Sequence, residues 1–151
     1  MVRIGCYMFL GEHHRTIDSK GRIFIPAKFR EEIIKGVIIT KGFDEKCLFL
    51  FSKESWKKIQ DRIVENPMAK RNIQRFSRWF FSSATMESVD QQGRTRIPQN
   101  LIDFADLKKE IVLVGVSDRA EIWSRENWDS YYNKADSQFS EDQNAFEELG
   151  F

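Results

Sequence analysis

The sequence is poor in the residues that do covalent or metal chemistry. It has two cysteines, Cys6 and Cys47, and two histidines, His13 and His14, in 151 residues. The cysteines have neither metal-ligand spacing nor a partner motif, so both read as reduced thiols. Cys47 sits in the apolar run "CLFLF" and is expected in the core. The histidines are adjacent, and neighbouring side chains on a strand point to opposite faces, a poor geometry for joint metal binding. No H-x-x-H, paired-Cys, G-x-S-x-G or glycine-rich phosphate loop occurs. The expectation is a non-enzyme with no cofactor, no metal and no small-molecule substrate. No apolar run approaches the ~20 residues of a membrane-spanning helix. The opening "MVRIGCYMFLGEHHR" also lacks the apolar stretch of a signal peptide. A cytoplasmic protein with no membrane partner is expected.

What is present is a globular composition, 41% apolar and 31% charged, which excludes a disordered chain. The net charge of +1 hides an uneven distribution. Residues 1–80 hold 17 Lys/Arg against 9 Asp/Glu, a balance of +8; residues 81–151 hold 7 against 14, a balance of −7. Such a split suits a basic working face and an acidic counterpart.

The strongest signal is an echo. "TIDSKGRIFIP" (Thr16–Pro26) returns as "SVDQQGRTRIP" (Ser88–Pro98), with Asp18, Gly21, Arg22 and Pro26 matched to Asp90, Gly93, Arg94 and Pro98 at an offset of 72. "VIITKGFD" (37–44) resembles "IVLVGVSD" (111–118) at an offset of 74, and "FSKESW" (51–56) resembles "WSRENW" (123–128) at 72 again. The chain therefore carries two copies of one unit. A unit of about 45 residues buries little core alone, so the copies should pack into one pseudo-symmetric body.

Each copy has a readable grammar. Ile17, Ile23 and Ile25 recur at strand spacing. The intervening "DSKG" supplies turn residues, and Pro26 ends the strand and opens a helix. "AKFREEII" sets Phe29 and Ile33 on one helical face, while "VIIT" and "CLFLF" read as strands. Ser52 and Ser124 are placed to cap helices carrying Trp56, Ile59 and Ile63, and Trp128 with Tyr131 or Tyr132. Asn66-Pro67 breaks the first of these. The helix beyond it is basic (Lys70, Arg71, Arg75, Arg78), with Ile73, Phe76 and Phe80 on an apolar face that should cover the core. In the acidic tail from Ala135, Ser140 and Gln143 could form a capping box.

The D-x-x-G-R turn has a plain structural use: Asp caps it, Gly takes a positive φ, and Arg pairs with Asp. It also has a functional one. An Asp that orients the guanidinium leaves its remaining donors for a phosphate or a guanine edge. Arg15, Lys20, Arg22, Lys28 and Arg30 crowd the first copy, whereas the matching stretch of the second has Arg94 and Arg96, with Gln91 and Gln92 in place of Ser19 and Lys20. The first copy is expected to make most of the phosphate contacts.

These motifs resemble one family. "MFLGEHHRTIDSKGRIFIPAKFRE", "DQQGRTRIP", "VLVG" and "EIWSRENW" together look like the bacterial MraZ family, which is similar to the AbrB and SpoVT regulators. The resemblance implies an α+β fold in which two tandem AbrB-like swapped-hairpin β units form one pseudo-symmetric β-barrel with flanking helices. On that pattern residues 1–11 are an N-terminal extension and lead-in, 12–54 and 83–126 the repeats, 55–82 linking helices, and 127–151 a C-terminal helix and acidic tail. "MVRIGCY" precedes the usual family start at the position of Met8.

The resemblance further implies a nucleoid-associated transcriptional regulator that binds double-stranded DNA. Its target would be spaced direct repeats in the promoter of the cell-division and cell-wall gene cluster, its own gene included. It would act as a ring-shaped homo-oligomer. The DNA-binding residues expected are Arg15, Asp18, Lys20, Arg22, Lys28, Asp90, Arg94 and Arg96. The alternative is a protein-interaction scaffold or antitoxin-like partner protein of the same fold.

Overall fold

The computed structural model describes residues 9–65 and 71–150. The readings that concern Cys6, the extension up to Tyr7, Met8, the Asn66-Pro67 break and Lys70 lie outside the described residues.

The first copy contributes β1 (Glu12–Thr16), β2 (Arg22–Phe24), α1 (Ala27–Arg30), β3 (Val37–Lys41) and β4 (Leu48–Ser52), and the second β5 (Thr85–Glu87), β6 (Arg94–Arg96), α4 (Gln99–Phe104), β7 (Glu110–Gly115) and β8 (Ala120–Ser124). Helices α2 (Lys53–Glu65) and α3 (Arg71–Ser83) join the copies, and α5 (Arg125–Ser137) and α6 (Phe139–Glu147) end the chain. Six strands form an antiparallel sheet in the order β1-β7-β8-β4-β3-β5, and β2 and β6 form a separate two-stranded ribbon. Among the described residues the larger ladder runs from β1 to β5 without closing on itself.

Pairing crosses between the copies. Among the described residues only β3–β4 and β7–β8 are internal to one copy. The first copy's β1 lies on β7, the second copy's β5 lies on β3, β4 lies on β8, and β2 pairs with β6. Neither copy can satisfy its strand edges alone, so the two fold as one body.

The central strands are apolar on both faces because both faces are covered. On one face Val37, Ile39, Leu48, Leu50, Ile111, Leu113 and Ile122 pack with Ile23, Ile25 and Ile97 around the ribbon, and with Phe29 and Leu101 of α1 and α4. On the other, Phe49, Phe51, Val112, Val114 and Trp123 meet Phe80 of α3 and Trp128 of α5, with Trp56 and Ile59 of α2 against them. The period of two thus sorts aliphatic residues toward the ribbon and aromatic ones toward the long helices. Thr40 lies among the second set; its hydroxyl is within hydrogen-bonding distance of the Phe80 carbonyl (3.0 Å) and Ser83 Oγ (2.9 Å), tying α3 to β3. Cys47 is buried, and burial followed by the charge of Glu121 pushes its thiol up to about 12, which leaves it inert at neutral pH.

Both expected serine caps are present: the Ser55 amide donates to Ser52 Oγ (3.2 Å) and the Asn127 amide to Ser124 Oγ (3.1 Å). The expected box at Ser140 and Gln143 is not. Helix α6 begins at Phe139 after Gln138 with no side-chain cap, so Ser140 is already inside it, and Gln143 instead donates to Glu147 (3.1 Å). Helix α1 is a single turn ending at Arg30, shorter than expected; Phe29 on it and Ile33 in the turns beyond it are both fully buried.

Leu50 lies on β4 with Ile39 and Ala120 as its cross-strand neighbours. Leu50→Ala is expected to cost about 2–5 kcal/mol, because a closed two-sided core cannot collapse around the cavity. Chemical denaturation of the variant measures this; a loss well below 1 kcal/mol would mean the core is not packed as described.

Candidate nucleic-acid interface

The two D-x-x-G-R turns have the same geometry. In the first, Asp18 Oδ1 accepts from the amides of Lys20 and Arg22 (both 2.9 Å), and Oδ2 accepts from Arg22 Nε (2.7 Å). In the second, Asp90 Oδ1 accepts from Gln92 (2.9 Å) and Arg94 (2.8 Å), and Oδ2 from Arg94 Nε (2.9 Å). Each turn closes with the Gly amide donating to the Asp carbonyl, 3.0 Å in both copies. The amides of Arg22 and Arg94 are the largest influence on their Asp partners. With the guanidinium contacts they outweigh the opposing effect of partial burial and hold both carboxyls below the ordinary carboxylate range.

The turns are locked to each other. Gly21 and Gly93 adopt φ of +77° and +84°, a region that glycine enters without strain. Their carbonyls accept from the other copy: Ile97 N to Gly21 O at 2.7 Å, Ile25 N to Gly93 O at 2.8 Å. A Cβ on Gly21 would lie 2.8 Å from the Ile97 carbonyl, and one on Gly93 would collide with the Arg30 guanidinium. Arg30 is held there by donating Nε to the Ile25 carbonyl (3.1 Å).

The locking produces the β2–β6 ribbon, in which Arg22 faces Arg96, Ile23 faces Thr95, and Phe24 faces Arg94. Ile23 and Thr95 point into the protein, so positions 22, 24, 94 and 96 share the outer face. Three guanidiniums and one phenyl ring are thereby gathered on one narrow ribbon. Arg22 and Arg94 use Nε on their carboxylates, which leaves the terminal nitrogens of each fork available to another acceptor. Arg22 is the more open, with 34% of its side chain exposed against 22% for Arg94, whose guanidinium carbon lies 5.9 Å from the Phe24 ring centroid.

The remaining expected residues are arranged around this face. Lys20 is exposed at the tip of the first turn, and Lys28 is exposed on α1. Arg15 is not on the ribbon: it stands half-buried on β1 at the edge of the larger sheet, and its Nη1 donates to the His14 carbonyl (2.8 Å). The sequence reading passed over two residues. Phe24 carries no charge, and its signal in the sequence is an apolar residue at the outward position between buried Ile23 and Ile25. Arg30 was counted among the basic residues but not assigned its place over Gly93. Among the described residues no group of three or more His, Cys, Asp or Glu is arranged to hold a metal ion. His13 instead stacks edge-on against Phe29 (4.9 Å) and contacts the Leu10 carbonyl (3.0 Å).

Comparison with known proteins gives a consistent result. The profile of the family described as "MraZ protein, putative antitoxin-like" matches the chain twice, over residues 8–78 and 80–149. The protein named Transcriptional regulator MraZ in Alkaliphilus metalliredigens (strain QYMF) is 45% identical over 143 residues, covering 95% of this chain and 99% of its own length. The same-named protein of Clostridium tetani (strain Massachusetts / E88) is 43% identical over 143 residues, with coverages of 95% and 99%. That of Natranaerobius thermophilus is 42% identical over 142 residues, with coverages of 94% and 96%.

Because Asp18 and Asp90 titrate low, the turns' contribution to stability is complete above the ordinary carboxylate range and is lost as pH falls through the lowered values. Carbon-detected NMR titration is expected to give both carboxyls midpoints below 3.8, and Arg22→Ala should move Asp18 upward, toward 3.8. Ordinary midpoints in the intact protein would show that the turn amides do not hold the carboxylates.

Proposed function

The chain belongs to the MraZ family, and from that premise we propose that it is a transcriptional regulator that grips double-stranded DNA sequence-specifically with the outer face of the β2–β6 ribbon. One observation carries the reading: Arg22, Arg94 and Arg96 share that face, and two of the three have their forks fixed in advance by Asp18 and Asp90. A two-stranded ribbon is narrow enough to enter the major groove, where a guanidinium fork matches the O6 and N7 acceptors of guanine. Fixing the fork beforehand removes part of the ordering cost of binding. Lys20, Lys28 and Arg15 flank the ribbon as phosphate contacts, which hold register without reading sequence.

The proposal extends to the target and the assembly. The target is the promoter of the division and cell-wall gene cluster, including the chain's own gene, met as spaced direct repeats by a protein at work on the nucleoid. The reciprocal ladders β1–β7 and β5–β3 support reading the repeats as swapped hairpins, with the ribbon closing the open side of the sheet as a barrel. A ring of copies would meet several DNA boxes together and gain affinity through effective concentration. Helix α6 supports self-association: it buries none of its residues within the chain and leaves Phe139 61% exposed, with Leu149 just beyond it 74% exposed. The +8 and −7 balances of the two halves give copies complementary charge.

Arg22→Ala is expected to abolish promoter binding in gel shifts while leaving the oligomer intact. Arg94→Ala should weaken it less, since its guanidinium is more covered. Wild-type affinity should fall with salt by about 0.9 log units per log unit of salt for each phosphate contacted. Unaltered binding by folded Arg22→Ala would remove the ribbon from the DNA interface. In light scattering, Phe139→Asp combined with Leu149→Asp should reduce the assembly toward the monomer; an unchanged mass would free α6 of that role.

A further inference from the structure

The ribbon is built on a near-twofold axis, and that axis is broken at one outward position. The register puts Ile23 opposite Thr95, so the pseudo-axis runs through this inward pair. The offset of 72 makes Arg22 the counterpart of Arg94, and Phe24 the counterpart of Arg96. A symmetric reader would present the same cross-strand pair at both ends. Here one end presents Arg22 beside Arg96, and the other presents Arg94 beside Phe24.

Phe24 does not behave as a core residue. Its neighbours Ile23 and Ile25 are fully buried, while Phe24 itself is 48% exposed. The Arg94 guanidinium lies toward the ring, 5.9 Å from its centroid, and is itself anchored on Asp90, so the ring belongs to the same ordered outer face. A phenyl group offers no hydrogen-bond donor to phosphate or to a base edge. In the major groove the matching apolar feature is the C5 methyl of thymine.

We propose that Phe24 is a specificity-determining residue that packs on a thymine methyl at one end of the site, while the Arg22–Arg96 end reads guanine, so that each chain binds DNA in a single orientation. This rests on the reading of the ribbon as the DNA-contacting face. It deepens that reading by giving the face a direction: its site is non-palindromic, G-reading at one end and T-reading at the other. Several chains held in an assembly with the same polarity then fit boxes repeated head-to-tail better than inverted ones.

Duplexes selected from a randomised library by the full-length chain provide the probe. Single thymines in the recovered site are replaced by deoxyuridine, which removes only the methyl group. One replacement is expected to weaken wild-type binding by about three- to fourfold, the size of one buried methyl. That loss should disappear in Phe24→Ala and persist in Phe24→Leu, which keeps an apolar group and guards against a folding artefact. Phe24→Arg, which installs the second copy's residue, should abolish the methyl dependence and shift selection toward two-fold symmetric sites. The inference is overturned if wild-type binding ignores every deoxyuridine, if Phe24→Ala weakens thymine and deoxyuridine duplexes equally, or if the wild type selects a palindrome. Those outcomes leave DNA binding in place. A wild type that enriches no sequence at all would instead sink the functional reading from which the inference starts.

Discussion

Each of the two Asp carboxylates accepts three hydrogen bonds within its own turn, two from amides and one from a guanidinium. The two amide bonds fix the path of the chain through Gly21 and Gly93, and that path aims each glycine carbonyl at an amide of the other copy. The crossed bonds in turn set the β2–β6 register, and the register decides which side chains share the outer face. Turn, ribbon and presented guanidiniums are thus successive consequences of one local interaction, repeated once. A residue without an acceptor at position 18 or 90 would release the turn before it altered any long-range contact.

The energetics divide between two parts of the molecule. Exposed ion pairs add little to folding because solvent screens them and side-chain entropy opposes them. Stability must come from the two-sided core, where aliphatic residues meet the ribbon and aromatic ones meet the long helices. The Asp–Arg pairs are better understood as setting geometry. A long arginine that is already ordered loses less freedom when it binds, and its low-titrating partner remains charged throughout the physiological range. The core holds the ribbon in place, and the carboxylates orient what the ribbon displays.

Much of this was legible in the residues. The 72-residue offset located both turns, Ser52 and Ser124 marked the helix starts they cap, and the spacing of Phe29 and Ile33 marked two buried side chains, one on α1 and one just beyond it. The partners of the strands were not legible. A repeat states that two segments have the same local structure, but β1 could have paired within its own copy as readily as with β7. Pairing is decided by which edges remain open after both copies have formed, and that is a property of the whole body. The capping box at Ser140 failed for a local reason: the chain turns helical two residues earlier, with Gln138 at the cap position and no side chain capping it. The place of Phe24 on the outer face is set by Arg94 across the ribbon, 70 positions away, a neighbour that local pattern does not reveal.

Duplication within one chain has a consequence that assembly from identical chains does not. Two identical units meeting on a twofold axis must present the same residue at both ends of a shared ribbon, because any substitution appears twice. Joining the units covalently removes that constraint while keeping the geometry that depends on the backbone. The positions retained in this stretch include the three the turn requires, Asp18 and Asp90, Gly21 and Gly93, Arg22 and Arg94, together with Ile25 and Ile97 and Pro26 and Pro98. Among the positions that differ are Lys20 against Gln92 at the tips, Ile23 against Thr95 beneath, and Phe24 against Arg96 on the face. The Asp, Gly and Arg of the turn are therefore kept, while difference reaches both the buried pair beneath the ribbon and one position on its outer face. A scaffold whose ends had to match could not hold both an all-cationic and a half-apolar end on one ribbon, and this chain holds both.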